Sequence, residues 1–154
     1  MIEFRPDFPE RMAQALVSGM EAAGVYLVGR IRRDINRGNR LGIDPSKPGE
    51  PPKKVTGRLF KSIASFTKRE GHDVVTYVGT NVFYGRHLEL GVEADVEVRE
   101  HLRQGRLVRA HRRRWRLLPR PFLRPAIIRH RRELARIVAM RIAELTRIYG
   151  EPGG

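Results

Sequence analysis

The chain has 154 residues, of which 40% are hydrophobic and 31% are charged, and it carries a formal net charge of +14 without a single cysteine. This length suits one domain with a modest core, and the lack of cysteine excludes disulfides and thiolate metal sites. No apolar run approaches the roughly 18 to 20 residues that a membrane-spanning helix needs, and the N-terminus lacks the pattern of a secretory signal. We therefore expect an aqueous, reducing compartment and no membrane contact.

The positive charge is concentrated in the second half of the chain. Between Arg99 and Arg147 there are 16 arginines, no lysine and three acidic residues, which gives this part a net charge of +13. Guanidinium groups pair bidentately with phosphate or carboxylate and are weakly hydrated, so this pattern favours contact surfaces. A coding bias that places arginine where lysine would serve is the alternative interpretation.

The first element in chain order is a long amphipathic helix, predicted over residues 8–37. Asp7 and Glu10 form a capping pattern around Pro9, and apolar residues then recur three or four positions apart. Glycines stand inside the helix at Gly19, Gly24 and Gly29. Close packing against a sheet or a neighbouring subunit explains them, as does simple tolerance of glycine.

Residues 38–57 lack apolar periodicity and are rich in proline, glycine and polar residues, which predicts an extended arm. Prolines restrict the conformations of such an arm, so it loses less entropy when a partner orders it. The arm either reaches across another surface or only connects helix to sheet.

The pattern of residues 58–118 predicts a region made mainly of strands. Alternation from Ile63 to Lys68, a turn at residues 71–73 and a return strand over 74–78 predict a hairpin, although Leu59 and Phe60 also suit a helical turn. A short helix follows, with Gly91 as its stop. Residues 92–98 and 107–117 predict a second strand pair that turns at residues 103–105.

Prolines at 119, 121 and 125 end the strand pattern, and a final amphipathic helix is predicted over residues 125–149. The element order predicts one α+β domain over residues 1–154. In it, an antiparallel sheet of about four strands packs against a long N-terminal and a long C-terminal helix.

The segments "PGEPP", "TGRLFKSI", "YVGTNVFYGRHLELGV" and "LPRPFLRPA", in this order and spacing, resemble the tail-completion, or neck, family of long-tailed bacteriophages, typified by gene product 10 of lambda-like siphophages. The resemblance covers about residues 47–126. Leu90 departs from it, since an aromatic residue is common there, and so does the arginine-rich span 99–116.

The resemblance implies a structural virion protein, assembled in the bacterial host cytoplasm, that forms a hexameric ring where the tail meets the head. Its partners would be its own copies, the tail tube or tail terminator protein, the head–tail connector (stopper or adaptor) protein and the genome DNA. Matched motifs place the subunit or partner contacts at Pro48, Gly49, Glu50, Pro51, Pro52, Arg120, Pro121, Phe122 and Leu123. Phe122 and Leu123 either insert into a partner as anchors fixed by neighbouring prolines or pack beneath the final helix of their own chain.

DNA must pass through a head–tail channel, so some arginines are expected to face the lumen and contact phosphate without reading bases. The candidates are Arg109, Arg112, Arg113, Arg114 and Arg116. The alternative is that these arginines pair with acidic neighbouring rings.

The sequence does not favour catalysis or a cofactor. The five histidines form no His-Glu-x-x-His motif, no Gly-rich phosphate loop is present, and His87 and Glu89 are expected to be a surface pair. No catalytic, cofactor-binding or metal-ligating residue is predicted. The alternative function is a free-standing basic nucleic-acid-binding protein that uses the arginine-rich region 99–147, although a stacking series of aromatics is missing.

Overall fold

The computed structural model describes residues 8–37, 46–71 and 73–149. Its order is α1 (Phe8–Asn36), α2 (Arg58–Ser62), β1 (Ile63–Glu70), β2 (Asp73–Thr80), α3 (Phe83–Leu90), β3 (Val92–Val98), β4 (His101–Arg103), β5 (Arg106–Val108), β6 (His111–Leu117) and α4 (Arg124–Tyr149). Long N- and C-terminal helices combined with antiparallel strands confirm the predicted α+β class. None of the described helices is long and apolar enough to cross a membrane.

Helix α1 is the central element of the fold, because it packs against both α4 and the β1–β2 hairpin. The apolar stripe that the periodicity predicted faces inward: it is half-buried at Met12, Leu16 and Met20 and buried at Ala23, Leu27, Ile31 and Ile35. Full burial of a side chain such as that of Ile31 contributes about 1.5–3 kcal/mol. The predicted end at residue 37 agrees with the structure to one residue, while the proposed cap Asp7 lies outside the described residues.

Two of the three glycines in α1 mark close packing. A Cβ atom at Gly24 would lie 2.9 Å from Thr76 Cγ2 in β2, and one at Gly19 would lie 3.1 Å from the Cα atom of Val138 in α4. A Cβ at Gly29 would meet no atom within 4 Å. Close packing against the sheet therefore accounts for Gly24 and close packing against α4 for Gly19, whereas Gly29 is only tolerated.

The first hairpin, β1–β2, has the two faces that the alternation predicted. Ile63, Ser65 and Thr67 lie on the side that faces α1, and the residues between them are exposed. The segment before it is helical, because residues 58–62 form α2, so the alternative of a helical turn at Leu59 is the correct one. Arg32 of α1 fixes this junction by donating to the carbonyl oxygen of Ile63 at 2.9 Å.

The second hairpin is long and interrupted. Strands β3 and β6 pair from Val92 with Leu117 to Val98 with His111, and the short β4–β5 pair continues beyond them. The turn predicted at residues 103–105 is confirmed, with φ of 52° at Gln104 and 76° at Gly105. The strands of the fold are thus divided among three two-stranded sheets, and β1–β2 is the one that packs along α1.

The hydrophobic core lies where α1, α2, β1 and the start of α4 converge. Its buried members are Leu27, Val28, Ile31, Ile35, Leu59, Ile63, Phe122 and Ala126. Residues of α3, including Tyr84 and Leu88, pack against its edge. This core brings the segment before α4 next to α3, and the candidate contact residues lie in that region.

Candidate assembly surfaces

Three of the four segments on which the predicted resemblance rests lie together in the fold. Residues 46–52 of the arm contact the proline-rich segment before α4, where the N–H of Gly49 donates to the carbonyl oxygen of Pro119 at 2.9 Å. The guanidinium of Arg120 donates to the carbonyl oxygen of Ser46 at 3.0 Å, and the N–H of Arg120 donates to Leu88 of α3 at 2.6 Å. We call this group of residues, 46–52, 84–91 and 119–124, the junction.

The carboxylate of Glu89 holds the junction together. It accepts the backbone N–H groups of Phe122 at 2.7 Å, Leu123 at 3.0 Å and Arg124 at 2.9 Å. These donors belong to the start of α4, where helical N–H groups have no partner within the helix and the helix dipole favours a negative charge. Glu89 therefore caps α4 from another helix, instead of forming the predicted surface pair with His87.

This role of Glu89 was missed from the sequence, although one signal pointed to it. The residues before α4, "RPFL", contain no serine, threonine, aspartate or asparagine that would cap the helix locally. The N–H groups of a helix start without a local cap are satisfied by water or by an acceptor from elsewhere in the fold. The sequence does not show which distant carboxylate supplies it.

The predicted partner-contact residues of the arm differ in exposure. Pro48, Gly49 and Glu50 are exposed, Pro51 is half-buried, and Pro52 is buried. The exposed part lies at the bend of the arm, where Gly49 adopts a φ of 84°. The described part of the arm is thus bound along its own chain, with Pro48 to Glu50 facing outward, and residues 38–45 lie outside the described residues.

The predicted anchors before α4 need a correction. The side chain of Phe122 is 1% exposed and lies in the core of its own chain, so it is not available to insert into a partner. Leu123 is half-buried against the same core, which leaves Arg120 and Pro121, also half-buried, as the accessible part of the motif. The alternative that Phe122 and Leu123 pack beneath the final helix is the correct one, because their backbone is fixed by Glu89 at the start of α4.

The long hairpin carries its three acidic residues and three of its arginines on one face, whereas Arg113 lies on the other. Glu93, Asp95 and Glu97 of β3 stand directly opposite arginines of β6 in the register of the ladder. The guanidinium of Arg112 binds Glu97 at 2.7 Å, and that of Arg114 binds Glu93 at 2.7 Å. These arginines already have carboxylate partners within the chain, so they are weaker candidates for phosphate contact than the sequence indicated.

The other arginines of this hairpin have no such partner in the part of the chain that the structure describes. They are Arg99, Arg103, Arg106, Arg109, Arg113 and Arg116. Arg103 and Arg106 flank the turn at the exposed tip, which lies beyond the acidic residues of β3. Within the described residues, positive charge is therefore not neutralised at the predicted candidates Arg109, Arg113 and Arg116, nor at the tip, which the prediction did not include.

Large apolar side chains are exposed on both hairpins. Phe66 and Tyr77 are direct partners on the outer face of β1–β2, and they are 64% and 50% exposed. Trp115 is 40% exposed on the face of the long hairpin opposite the ion pairs, and Leu102 and Leu107 pair at its tip. Contiguous exposed apolar side chains of this kind mark contact surfaces for other proteins.

A small polar cluster borders the outer face of β1–β2. The hydroxyl of Tyr77 donates to Glu70 at 2.8 Å, and Lys68 binds the same carboxylate at 2.7 Å. The bonds from Lys68 and then from Tyr77 lower the pKa of Glu70, and the bond to Glu70 raises the pKa of Tyr77. The cluster fixes the orientation of the Tyr77 ring.

Within the described residues, no group of histidines and acidic side chains could hold a metal ion. A groove runs beside the arm and is lined by residues such as Pro52, Lys54, Leu59 and Tyr84. Comparisons with protein-family models, curated proteins and solved structures found no match to this chain.

Proposed function

We propose that the protein is a structural virion protein of a tailed bacteriophage, which forms a hexameric ring at the head–tail junction, completes the tail and joins it to the head connector. The observation that carries this proposal is the contact among residues 46–52, 84–91 and 119–124 of the chain, the group named the junction above. Three of the four segments on which the resemblance rests are far apart in sequence and are bonded to one another through Glu89, Pro119 and Arg120. Because these segments contact one another in the folded chain, they form one surface that a partner could contact.

The exposed surfaces support a role in assembly. Large apolar side chains are solvent-exposed in the isolated chain, at Phe66 and Tyr77 on one hairpin and at Trp115 on the other. Burial of such side chains against other protein surfaces is favourable, at about 25 cal/mol per Å² of apolar area. A protein that assembles into a ring between neighbouring rings gains this burial free energy on assembly.

The proposed partners follow from this position. They are other copies of the chain, the tail tube or tail terminator protein, the head–tail connector protein and the genome DNA in the channel. The proposed location is the virion, after assembly in the host cytoplasm. The proposed role involves contact alone, without catalysis and without a cofactor.

Within the ring, we assign the phosphate contact to the tip of the long hairpin. Arg103 and Arg106 are exposed there without carboxylate partners, unlike Arg112 and Arg114. Contact of this kind is electrostatic and independent of base sequence.

The same observation favours the second candidate function, a free-standing nucleic-acid-binding protein. An exposed cationic tip binds duplex DNA without any ring, with an affinity that falls steeply as salt increases. Salt-dependent binding by a chain that is absent from phage particles would select this candidate.

The experiment that tests the proposal is electron microscopy of particles produced in the native host with and without this protein. We expect particles without it to show tails that fail to join heads or tubes that fail to stop at the normal length. Complementation with the wild-type chain is the control for loss of other virion proteins. Normal, joined tails in its absence, or purified virions that lack the polypeptide, would refute the proposed function.

A further inference from the structure

The two strands of the long hairpin carry opposite charges. Acidic residues occupy alternate positions of β3 at Glu93, Asp95 and Glu97. Strand β6 carries only basic charge, at Arg112, Arg113, Arg114 and Arg116. The two strands form a two-stranded sheet, so within the described residues the outer edge of each has no strand partner.

Pairing inside the hairpin leaves charge of opposite sign on the two strands. Glu93 and Glu97 bind Arg114 and Arg112, each at 2.7 Å. Asp95 has no ion pair in the described part of the chain, and the same holds for Arg113 and Arg116 of β6. Strand β3 thus keeps an unpaired carboxylate, and β6 keeps unpaired guanidinium groups.

An open strand edge presents unpaired N–H and C=O groups that add a further strand, and charge decides which strand fits. Two β3 edges would place carboxylates beside carboxylates, and two β6 edges would place guanidinium groups beside each other. Like charges on adjacent strands are destabilising, whereas opposite charges contribute about 0.2–1 kcal/mol per pair. Among the pairings of these two strands between copies, β3 of one copy beside β6 of another is the one that satisfies this condition.

We propose that copies of this chain associate edge to edge, with β3 of one copy pairing antiparallel to β6 of the next copy. This inference rests on the proposed function, because it names the contact between neighbouring subunits of the ring. The two surfaces differ, so the contact is head to tail, which closes into a ring when the rotation between copies permits it.

The geometry of the hairpin suits this arrangement. In a sheet extended in this way, all the hairpins point in the same direction, since β3 and β6 are antiparallel within each copy. Asp95 then lies on the same face as the even-numbered arginines of the next β6 strand, and the opposite faces, which carry Trp115 and Arg113, join into one continuous face. DNA is a poorer occupant of this surface, because its phosphates would approach the carboxylates of β3.

The decisive experiment exchanges the charges of both strands. The swapped chain carries E93K, D95K and E97K in β3 together with R112E, R114E and R116E in β6, so complementarity within its own hairpin is retained. Native mass spectrometry at low salt would compare each chain alone with an equimolar mixture of wild-type and swapped chains. We expect each chain to assemble with itself, and mixed oligomers to fall about tenfold or more below their statistical share, because three like-charge pairs oppose each mixed contact.

A single substitution covers the case in which the swapped chain does not fold. Asp95→Lys removes no ion pair within the described residues, but its lysine would stand opposite Arg114 in the ladder, so circular dichroism checks that the hairpin still forms. We expect the folded variant to self-associate about tenfold more weakly. Asp73→Lys, at the exposed start of β2, makes the same change in net charge and should leave association unaltered.

Three results would overturn the inference: mixed oligomers at their statistical share, equal effects of Asp95→Lys and Asp73→Lys, or a wild-type chain that stays monomeric at low salt and high concentration. The first two leave the proposed ring intact and reject only this contact. Virions that lack the protein would reject the proposed function, and the mixing result would still report on edge pairing.

Discussion

Glu89 and Phe122 are joined by a hydrogen bond of 2.7 Å, in which a carboxylate of α3 accepts the backbone N–H that precedes α4. The same carboxylate accepts two further N–H groups, from Leu123 and Arg124. The Glu89 side chain is half-buried, so water cannot fully replace its hydrogen bonds when a substitution removes the carboxylate. The contact couples the burial of Phe122 to the start of the final helix.

We predict that Glu89→Ala lowers the free energy of unfolding by about 2–3 kcal/mol, since charge-assisted hydrogen bonds to helix N–H groups are removed. Glu89→Gln should cost less, because an amide oxygen in the place of Oε2 still accepts the N–H groups of Phe122 and Leu123. Urea denaturation measures both. Glu144→Ala is the matched control in a helix, and it should cost less than about 0.5 kcal/mol, because the partner of Glu144 among the described residues is the exposed Arg141. Equal costs for the two alanine variants would show that Glu89 is not a cap.

The core position of Phe122 leads to a second prediction. Phe122→Ala should lower the free energy of unfolding by about 3–5 kcal/mol, as expected for a fully buried aromatic side chain. Ile128→Ala, at a site that is 58% exposed in α4, should change it by less than about 1 kcal/mol. Thermal or urea unfolding provides the measurement. A Phe122→Ala chain of normal stability that failed only in assembly would restore the interpretation of Phe122 as an anchor for a partner.

The glycines of α1 give a prediction with opposite signs. Gly29→Ala should stabilise the chain by about 0.4–1 kcal/mol, because alanine favours the helix and its Cβ meets nothing. Gly24→Ala should destabilise it by about 1–2 kcal/mol, since its Cβ would lie 3.0 Å from the side chain of Ser65 and closer still to Thr76. Differential scanning calorimetry of the two variants measures both changes in stability. Stabilisation by both would mean that α1 moves away from the hairpin at little cost.

Local patterns in the sequence were sufficient to predict much of the fold. The stripe that contains Ile31, the alternation around Ser65 and the turn at Gly105 each depend on residues close together along the chain, and each is confirmed. Helix α4 begins at Arg124, one residue before the predicted start. Periodicity and turn chemistry act over short distances, so one sequence is enough to reveal them.

The relationships within the candidate surfaces could not be predicted in this way. The capping of α4 by Glu89 and the bond between Gly49 and Pro119 join segments that meet only in the folded chain. The pairing of Arg112 with Glu97 depends on the register of β3 against β6, which a run of arginines does not reveal. The motifs indicated which segments matter, while the tertiary fold decided which of their side chains are accessible.

The cluster at Tyr77 yields a prediction about protonation. Glu70 accepts the Tyr77 hydroxyl and so stabilises the protonated phenol, which raises the pKa of Tyr77 above its ordinary value. Glu70→Gln should therefore shift the ionisation midpoint of Tyr77 to lower pH, as followed by NMR, with Tyr77→Phe used to assign the signal. Conversely, the pKa of Glu70 is lowered by Lys68 and Tyr77, so its contribution to stability is lost as pH falls through the folded-state pKa. An unchanged Tyr77 midpoint in Glu70→Gln would mean that the bond does not persist in solution.

The division of arginines between the tip and the ladder predicts their separate effects on DNA binding. Replacing Arg103 and Arg106 with glutamine should weaken binding to duplex DNA and reduce the slope of log K against log salt by about 0.9 for each phosphate that the variant no longer neutralises. Replacing Arg112 and Arg114 removes the same charge, but these side chains already bind Glu97 and Glu93, so the slope should change less. Fluorescence anisotropy over a salt series measures both variants, and circular dichroism checks that both are folded. A larger loss of affinity from the ladder pair than from the tip pair would place the phosphate-binding site on β6 and not at the turn.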